Sequence, residues 1–154
     1  MKAINDNGTI KVFNSTPKTW GGRIGLQYAS DSELEAIGFY DVNKPSIKDS
    51  QEYGDIEWDA DNSRFTYPVN NKTFSQTVAE LKEQKIANLK AMYNSKLAEK
   101  DWYVTRNQEK GTAIPSDVQT ERDNLRSECA TKESEINAKT TKAAVVDYAM
   151  PNLL

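Results

Sequence analysis

The sequence predicts an α+β protein: a small antiparallel, aromatic-rich β domain followed by a long two-helix hairpin with coiled-coil character. Before Asn70 the chain is rich in Gly, Pro, Asn, aromatic and β-branched residues, which favour strands and turns. From Thr77 to Ala144 it has one Gly and one Pro among Ala, Glu, Lys, Leu and Gln, which favour helix. We therefore expect a β-rich domain over residues 1–72, a helical hairpin over 73–150 and a C-terminal tail over 151–154.

Short segments of the β-rich part have strand or helix signals. TIKVFN is a predicted strand, and RIGLQY, after the paired glycines, is a second candidate. DSELEAIG predicts a short helix with Ser32 as its N-cap and Gly38 at its end. Phe39, Tyr40 and Val42 are expected to continue as a strand.

The clearest hairpin spans GDIEWDADNSRFTYPV, in which apolar and polar residues alternate on both sides of the turn residues DADNS. One face is then aromatic, and we expect Trp58, Phe65 and Tyr67 on that face to contact a partner. Pro68 cannot donate a ladder hydrogen bond, so either its strand lies at a sheet edge or Pro68 lies outside the ladder.

The remaining chain predicts two helices. The apolar residues of the first helix recur mostly at spacings of three and four, at Val78, Leu81, Ile86, Leu89, Tyr93 and Leu97. The second helix is expected to begin near Ser116, which has the capping-box spacing to Gln119. Its apolar residues form a narrow seam of the kind used in coiled coils, at Val118, Leu125, Cys129 and Ile136.

A seam this narrow cannot stabilise a helix alone in water, so it must meet another surface. One candidate is the first helix, folded back as an antiparallel hairpin through NQEKGTAIPS. The other is a second copy of the chain in a dimeric or trimeric bundle, and the sequence leaves both open. Arg122 and Arg126 are expected to form a solvated row beside the seam instead of clamping a partner carboxylate.

Composition excludes several functions. With no histidine and one cysteine, Cys129, the chain cannot build imidazole-dependent catalysis, histidine zinc sites or an internal disulfide. A net charge of −3 without a basic stripe argues against a nucleic-acid ligand. No apolar run approaches the roughly 20 residues that cross a bilayer, so we expect a soluble protein with no membrane partner. We also expect no cofactor.

The hairpin region also holds the only dense carboxylates, at Asp55, Glu57, Asp59 and Asp61. Two of them would suffice for the acid and nucleophile of a glycosidase. Solvated surface carboxylates are the favoured interpretation, because Glu57 is expected on the solvent face opposite Trp58. A calcium loop starting at Asp59 is excluded, since Arg64 replaces the turn glycine and Asn70 the bidentate glutamate.

Large apolar groups, Trp102 and Tyr103, stand at the predicted junction between the two helices. They would either anchor a partner or close the open end of the hairpin, with Ile114 and Val118 packed against Trp102. The second interpretation is favoured because it covers apolar surface that the junction otherwise exposes.

This junction resembles the C-terminal module of bacteriophage tail assembly chaperone and tail-fibre-region proteins. In that family an Asp-Trp pair closes one helix, a Gly and an Ile-Pro pair follow, and a second helix begins with regularly spaced Arg residues. The matching positions are Asp101, Trp102, Tyr103, Arg106, Gly111, Ile114, Pro115, Val118, Arg122, Leu125 and Arg126. The similarity extends more loosely over residues 31–138.

The resemblance implies virion assembly and no reaction. We expect a non-enzymatic tail protein of the fibre or baseplate region, made in the host cytoplasm and located in the virion tail, whose partners are other phage tail or tail-fibre proteins. It would act either as a permanent adaptor or as a tail assembly chaperone absent from the mature virion.

The last stretch, AAVVDYAMPNLL, is apolar against a polar background. It would either fold back on its own domain or dock into a neighbour, and the sequence does not separate these alternatives. Besides the aromatic residues named above, the residues expected to contact a partner are Leu125, Val146, Tyr148, Met150, Leu153 and Leu154.

Overall fold

The structure is a computed structural model that describes residues 1–153. Its fold is mixed α+β, which confirms the predicted class at that level. The chain divides into two compact units, Met1–Lys72 and Thr73–Leu154. All nine strands of the described residues lie in the first unit, and the long helices lie in the second.

A five-stranded sheet forms the centre of the first unit. Its strands are β1 (Lys2–Asp6), β2 (Thr9–Phe13), β5 (Phe39–Asn43), β7 (Glu57–Asp59) and β8 (Arg64–Thr66), in the order β2-β1-β5-β8-β7. Two small antiparallel pairs accompany it: β3 (Thr19–Trp20) with β4 (Arg23–Ile24), and β6 (Gln51–Tyr53) with β9 (Val69–Asn71). The β7–β8 hairpin has the predicted turn, and Pro68 lies between β8 and β9, outside the ladder.

Two sequence-based expectations for this sheet were wrong, and one strand was missed. The sheet is not wholly antiparallel, because β5 and β8 pair in parallel. Strand β1, which pairs with both β2 and β5, was not predicted: Lys2, Ala3 and Ile4 are all buried, so the expected alternation is hidden. RIGLQY is not a strand, since its extended part ends at Ile24 and a 3₁₀ helix covers Leu26–Tyr28.

The short predicted helix is present as α1 (Asp31–Glu35), but Ser30 and not Ser32 is its N-cap. The Ser30 hydroxyl accepts a hydrogen bond from the backbone N–H of Glu33, whose carboxylate accepts one from the Ser30 N–H at 2.7 Å. This reciprocal capping box fixes where the helix begins. Gly38 follows the helix with a φ of 91°, which favours glycine, and lets the chain turn directly into β5.

One face of the sheet carries the core of the first unit. Ile4, Leu26, Leu34 and Phe39 are buried together, and partly buried side chains pack around them at Phe13, Trp20, Ala29 and Ile37. The rings of Phe13, Trp20 and Phe39 meet at centroid distances of 5.6–5.7 Å. Because successive strand residues point to opposite faces, Tyr40 lies on the other side of β5 from Phe39.

Within its described part, residues 73–153, the second unit contains four helices where the sequence predicted two. They are α2 (Val78–Ala98), α3 (Asp101–Lys110), α4 (Ser116–Asn137) and α5 (Lys142–Val146). The predicted junction is therefore largely a helix, α3, and Asp101 and Trp102 begin it instead of closing the helix before it. Gly111, with a φ of 66°, ends α3.

The starts of α2 and α4 differ. Thr77 and Glu80 form a capping box at the start of α2. Helix α4 begins at Ser116 as expected, but the predicted box with Gln119 is absent: Pro115 occupies the N-cap position and makes no side-chain cap. Proline is tolerated there because the first helical N–H groups have no intrahelical acceptor.

Helices α2 and α4 pack together in antiparallel orientation. Lys82 near the start of α2 donates to the carbonyl of Asn137 at 2.7 Å, and Lys90 pairs with Glu133 at 2.8 Å. Their shared core contains Leu89, Tyr93 and Ile136, with Ile86, Leu125, Cys129, Tyr148, Met150 and Leu153 packed against it. Within residues 1–153, no helix has the length and apolar character that a bilayer span requires.

Candidate protein-interaction surfaces

An aromatic groove lies on the face of the sheet that Tyr40 occupies. Tyr40 comes from β5, Trp58 from β7 and Phe65 from β8, and Asn5 and Gly38 complete a lining around about 220 Å³. The Trp58 ring meets the Tyr40 ring at 4.6 Å and the Phe65 ring at 5.1 Å, both edge to face. Direct pairing of Trp58 with Phe65 across β7 and β8 places both side chains on the same face.

The predicted aromatic face is thus only partly formed. Trp58 is 43% exposed and available to a partner, whereas Phe65 is 3% exposed. Phe65 therefore lines the groove beneath Trp58 and offers a partner little surface, and a contact between Phe65 and a partner stays a prediction. Tyr67 lies beyond the end of β8 and packs against Tyr53 at 5.7 Å, so it belongs to a different aromatic pair from Trp58.

The carboxylates of the β7–β8 hairpin hold a turn together. Asp59 accepts hydrogen bonds from the side chain and backbone of Asn62 and forms an ion pair with Arg64 at 3.4 Å. These contacts, chiefly the Asn62 side chain, lower the pKa of Asp59. A glycosidase acid needs the opposite shift, so Asp59 is poorly suited to that role. Asp55, Glu57 and Asp61 are exposed.

The second exposed aromatic surface is on α3, and we call it the α3 cluster: Trp102, Tyr103 and Arg106. The two rings stack at a centroid distance of 3.9 Å and an angle of 32°. The Arg106 guanidinium lies 4.8 Å from the Trp102 centroid and 5.7 Å from that of Tyr103. Trp102 is 52% exposed, so the expectation that it is covered at the helix junction was wrong.

Helix α4 holds the first turn of α3 through two ion pairs. Arg122 Nη1 lies 2.9 Å from Asp101 Oδ1 and donates to the Leu97 carbonyl at 2.8 Å. Lys100 pairs with Glu121. Arg122 is only 7% exposed, which corrects the expectation of a solvated row: this guanidinium occupies the seam and clamps a carboxylate of its own chain.

The remaining seam residues pack inside the second unit. Leu125 and Cys129 are partly buried against the core that α2 and α4 share. Burial and the neighbouring Glu133 raise the pKa of the Cys129 thiol. Since the thiolate is the nucleophilic form, this environment suits packing better than nucleophilic chemistry.

The C-terminal segment folds back on its own unit as far as the structure describes it. Val146 ends α5 and its carbonyl accepts a hydrogen bond from Lys85 at 3.0 Å. Tyr148, Met150 and Leu153 pack on the core of α2 and α4. Leu154, also predicted to contact a partner, lies outside the described residues.

Tyr148 also joins a polar network at the edge of this core. Its hydroxyl donates to the Glu135 carboxylate at 2.7 Å, and Lys132 pairs with the same carboxylate at 3.1 Å. Burial and the bond to Glu135 raise the pKa of Tyr148 to about 12. The bond from Tyr148, followed by that from Lys132, lowers the pKa of Glu135.

Sequence reasoning missed two exposed side chains and one half-buried arginine. Ile24 and Tyr28, at 83% and 86% exposure, project from the segment between β3 and α1, where Gly25 has a φ of 81°. The available sequence signal was the run of glycines at Gly21, Gly22 and Gly25. Their left-handed backbone conformation limits β4 to two residues, so no longer strand forms that could bury the Ile24 and Tyr28 side chains. Arg106 was noted only as a matching position, although its spacing of four from Trp102 predicts contact on a helix.

No cluster of acidic or cysteine side chains that could hold a metal ion occurs among residues 1–153. Comparisons of the chain with protein-family models, curated proteins and solved structures give no match.

Proposed function

We propose that this chain is a non-enzymatic bacteriophage tail protein of the fibre or baseplate region, a small structural adaptor or assembly factor that acts through protein–protein contacts. The observation that carries the proposal is the α3 cluster. A ten-residue helix with no buried side chain presents Trp102 at 52% exposure. Exposed Trp, Tyr and Arg groups are the residue types that dominate binding energy at interfaces.

Energetics support a partner for α3. An isolated helix of this length is marginal in water, and most helical stability in proteins comes from packing an apolar face. Within the chain, α3 has its ion pairs to α4 at the first turn, whereas Trp102, Tyr103 and Val104 remain at least partly exposed. A partner surface would bury this apolar stretch and stabilise the helix at the same time.

The aromatic groove of the first unit supplies a second contact. Trp58 has its ring edges fixed by Tyr40 and Phe65, so its orientation is largely set before a partner binds. Preorganised aromatic groups lose little side-chain entropy on association. We assign this groove and the α3 cluster to contacts with other tail or tail-fibre proteins.

The α2–α4 pair is proposed to act as a helical hairpin with coiled-coil character that also assembles the chain as a dimer or trimer. Leu125 and Cys129 stay partly exposed at the seam. A groove of about 280 Å³ beside them is lined by residues of both helices, including Tyr93, Leu97 and Ala130. A helix from a second copy would cover these groups through the same knobs-into-holes geometry.

Mass spectrometry of purified phage particles tests the proposal. A permanent adaptor is expected in the tail at a stoichiometry that matches tail symmetry. The alternative, a tail assembly chaperone, is expected in infected-cell lysate in complex with a tail protein and absent from particles. Absence from both particles and tail-protein complexes would overturn the proposal.

The enzyme alternative is a carboxylate-dependent glycan-degrading tail protein. It predicts that purified chain releases sugar from host-surface glycan, and that Glu57→Gln or Asp59→Asn abolishes this release in a folded protein. The lowered pKa of Asp59 and its bonds to Asn62 argue against it. Release of reducing sugar by the wild-type chain, lost in either variant, would replace the adaptor with this enzyme.

A further inference from the structure

The α3 cluster holds a cation, Arg106, that no acidic side chain of the described residues neutralises. Asp101 on the same helix is paired with Arg122 of α4, and Glu121 is paired with Lys100. Arg106 forms no ion pair with any acidic side chain of residues 1–153. Its Nε is shielded from solvent and lacks a hydrogen-bond partner within those residues.

The aromatic rings fix how this guanidinium is presented. Stacking over Trp102 and Tyr103 restrains the plane of the Arg106 side chain, so the N–H groups at its edge point in a limited set of directions. A planar fork of donors matches the two oxygens of a carboxylate, and such bidentate contacts are stronger than neutral hydrogen bonds. Beside the fork, Trp102 offers exposed apolar surface.

We propose that the α3 cluster is a docking site for an acidic segment of a partner protein, in which a Glu or Asp carboxylate binds Arg106 and a neighbouring apolar side chain packs on Trp102. This inference rests on the proposed function and adds the chemistry of the partner. Charge complementarity carries it: Arg106 is the one cation of the cluster and has no acidic partner among residues 1–153, so the N–H groups at the outer end of its guanidinium can donate to one carboxylate.

A phosphate backbone would compete for the same guanidinium. Nucleic-acid binding, however, needs several cations along one surface. Glu109 and Lys110 follow Arg106 with opposite charges, and the whole chain has a net charge of −3. A single stacked arginine in this setting favours one carboxylate over a chain of phosphates.

The test uses the full chain, labelled with ¹⁵N, and two capped peptides as probes. The first is acetyl-Ser-Glu-Leu-Asp-Leu-Glu-Ser-amide, and the second replaces each acidic residue by its amide. We expect the acidic peptide to shift the indole N–H signal of Trp102 and the Nε–H signal of Arg106, and to bind about tenfold more tightly than the amide peptide. Equal affinity for the two peptides, or no shift up to about 10 mM peptide, would overturn the inference.

Matched variants separate a specific contact from general charge attraction. Arg106→Gln and Lys110→Gln each remove one positive charge from α3, but only Arg106→Gln removes the guanidinium that lies over the Trp102 ring. We expect Arg106→Gln to weaken binding of the acidic peptide about tenfold and Lys110→Gln to change it less than about twofold. Equal losses in the two variants would contradict the assigned site.

Preference for an eight-residue oligothymidylate over the acidic peptide would assign the cluster to nucleic acid and overturn the inference. Because the peptide comparison on the wild-type chain needs no variant, it remains decisive even if Arg106→Gln unwinds α3. A chain found in phage particles that fails the peptide test would retain the proposed function and lose only this docking chemistry.

Discussion

Arg122 and Asp101 form an ion pair of 2.9 Å that joins the second turn of α4 to the first turn of α3. The Arg122 side chain is 8% exposed, while the Asp101 side chain remains 59% exposed. Because Arg122 also donates to the Leu97 carbonyl, it satisfies a backbone acceptor near the end of α2. One buried cation thus positions the end of α2 and the beginning of α3.

Removing this cation is expected to destabilise the second unit. Arg122→Ala removes one donor from the Leu97 carbonyl, which keeps its bond from the Lys100 backbone N–H, and opens a cavity in the seam, whereas the exposed Asp101 carboxylate can be hydrated again. We expect the free energy of unfolding to fall by about 2 kcal/mol in urea denaturation.

The matched control is Arg126→Ala, which removes an exposed arginine one turn along α4 whose ion pair is with Asp123. Its expected cost is below about 0.5 kcal/mol. Equal effects of the two substitutions would show that the Arg122 contacts contribute no more to stability than a surface pair.

Arg122 also shows why the seam was only partly predictable. Val118 and Leu125 are seven residues apart, and a helical seam needs a member between them. Arg122 fills that position, but a charged residue is normally assigned to solvent because burying a charge is costly. Only the fold reveals that Asp101 and the Leu97 carbonyl offset this cost.

Elsewhere, local patterns predicted elements best where burial is one-sided. The β7–β8 hairpin and the start of α4 follow from alternation and turn chemistry, and both are present. Strand β1 has buried residues on both faces, and α3 has none buried, so neither shows the periodicity that sequence analysis relies on. Trp58 and Trp102 were predicted from the sequence as candidate contact residues, and both are exposed. The sequence pattern treats Trp58 and Phe65 alike, and only the structure shows that Trp58 is exposed and Phe65 is buried.

The Tyr148–Glu135 contact predicts a pH dependence at both ends of the scale. The folded-state pKa of Tyr148, about 12, lies above its ordinary value of 10.0. The resulting stability is complete below pH 10.0 and is lost as the pH rises towards 12, because the unfolded chain ionises first. The pKa of Glu135 is lowered from 4.5, so its contribution is present above that pH and is lost on acidification through the lowered folded-state value.

Tyr148→Phe should therefore flatten the pH profile of stability on both limbs, measured by urea unfolding across the acid and alkaline range. Tyr28→Phe removes a hydroxyl from a side chain that is 86% exposed and should leave the profile unchanged. The raised pKa of Lys2, where hydrogen bonds to Asp31 and Asp41 outweigh the lowering by burial, adds an alkaline slope common to all three proteins. A Tyr148→Phe profile identical to wild type would contradict the assignment.

Leu125→Asp tests whether the seam acts within one chain or between chains. A carboxylate at this partly buried position faces the Leu89, Tyr93 and Ile136 core. If the seam works only within the chain, the variant should lose about 3 kcal/mol of stability and remain at the wild-type mass in light scattering. If copies share the seam, as proposed, the mass should fall to that of a monomer while helicity by circular dichroism is largely kept. An unchanged mass together with unchanged stability would contradict both roles.

Trp58 and Phe65 are expected to differ sharply although their rings touch at 5.1 Å. Phe65→Ala removes an enclosed ring and should destabilise the first unit by about 3 to 4 kcal/mol. Trp58→Ala removes a side chain that is 43% exposed and should cost about 1 kcal/mol of stability.

The larger effect of Trp58→Ala is expected on incorporation into phage particles, measured by quantitative mass spectrometry after complementation with the variant. Tyr28→Ala, an exposed aromatic outside the groove, is the control that should assemble normally. Normal incorporation of Trp58→Ala would remove the groove from the proposed contacts, because a folded adaptor that lacks its anchor ring should assemble less well.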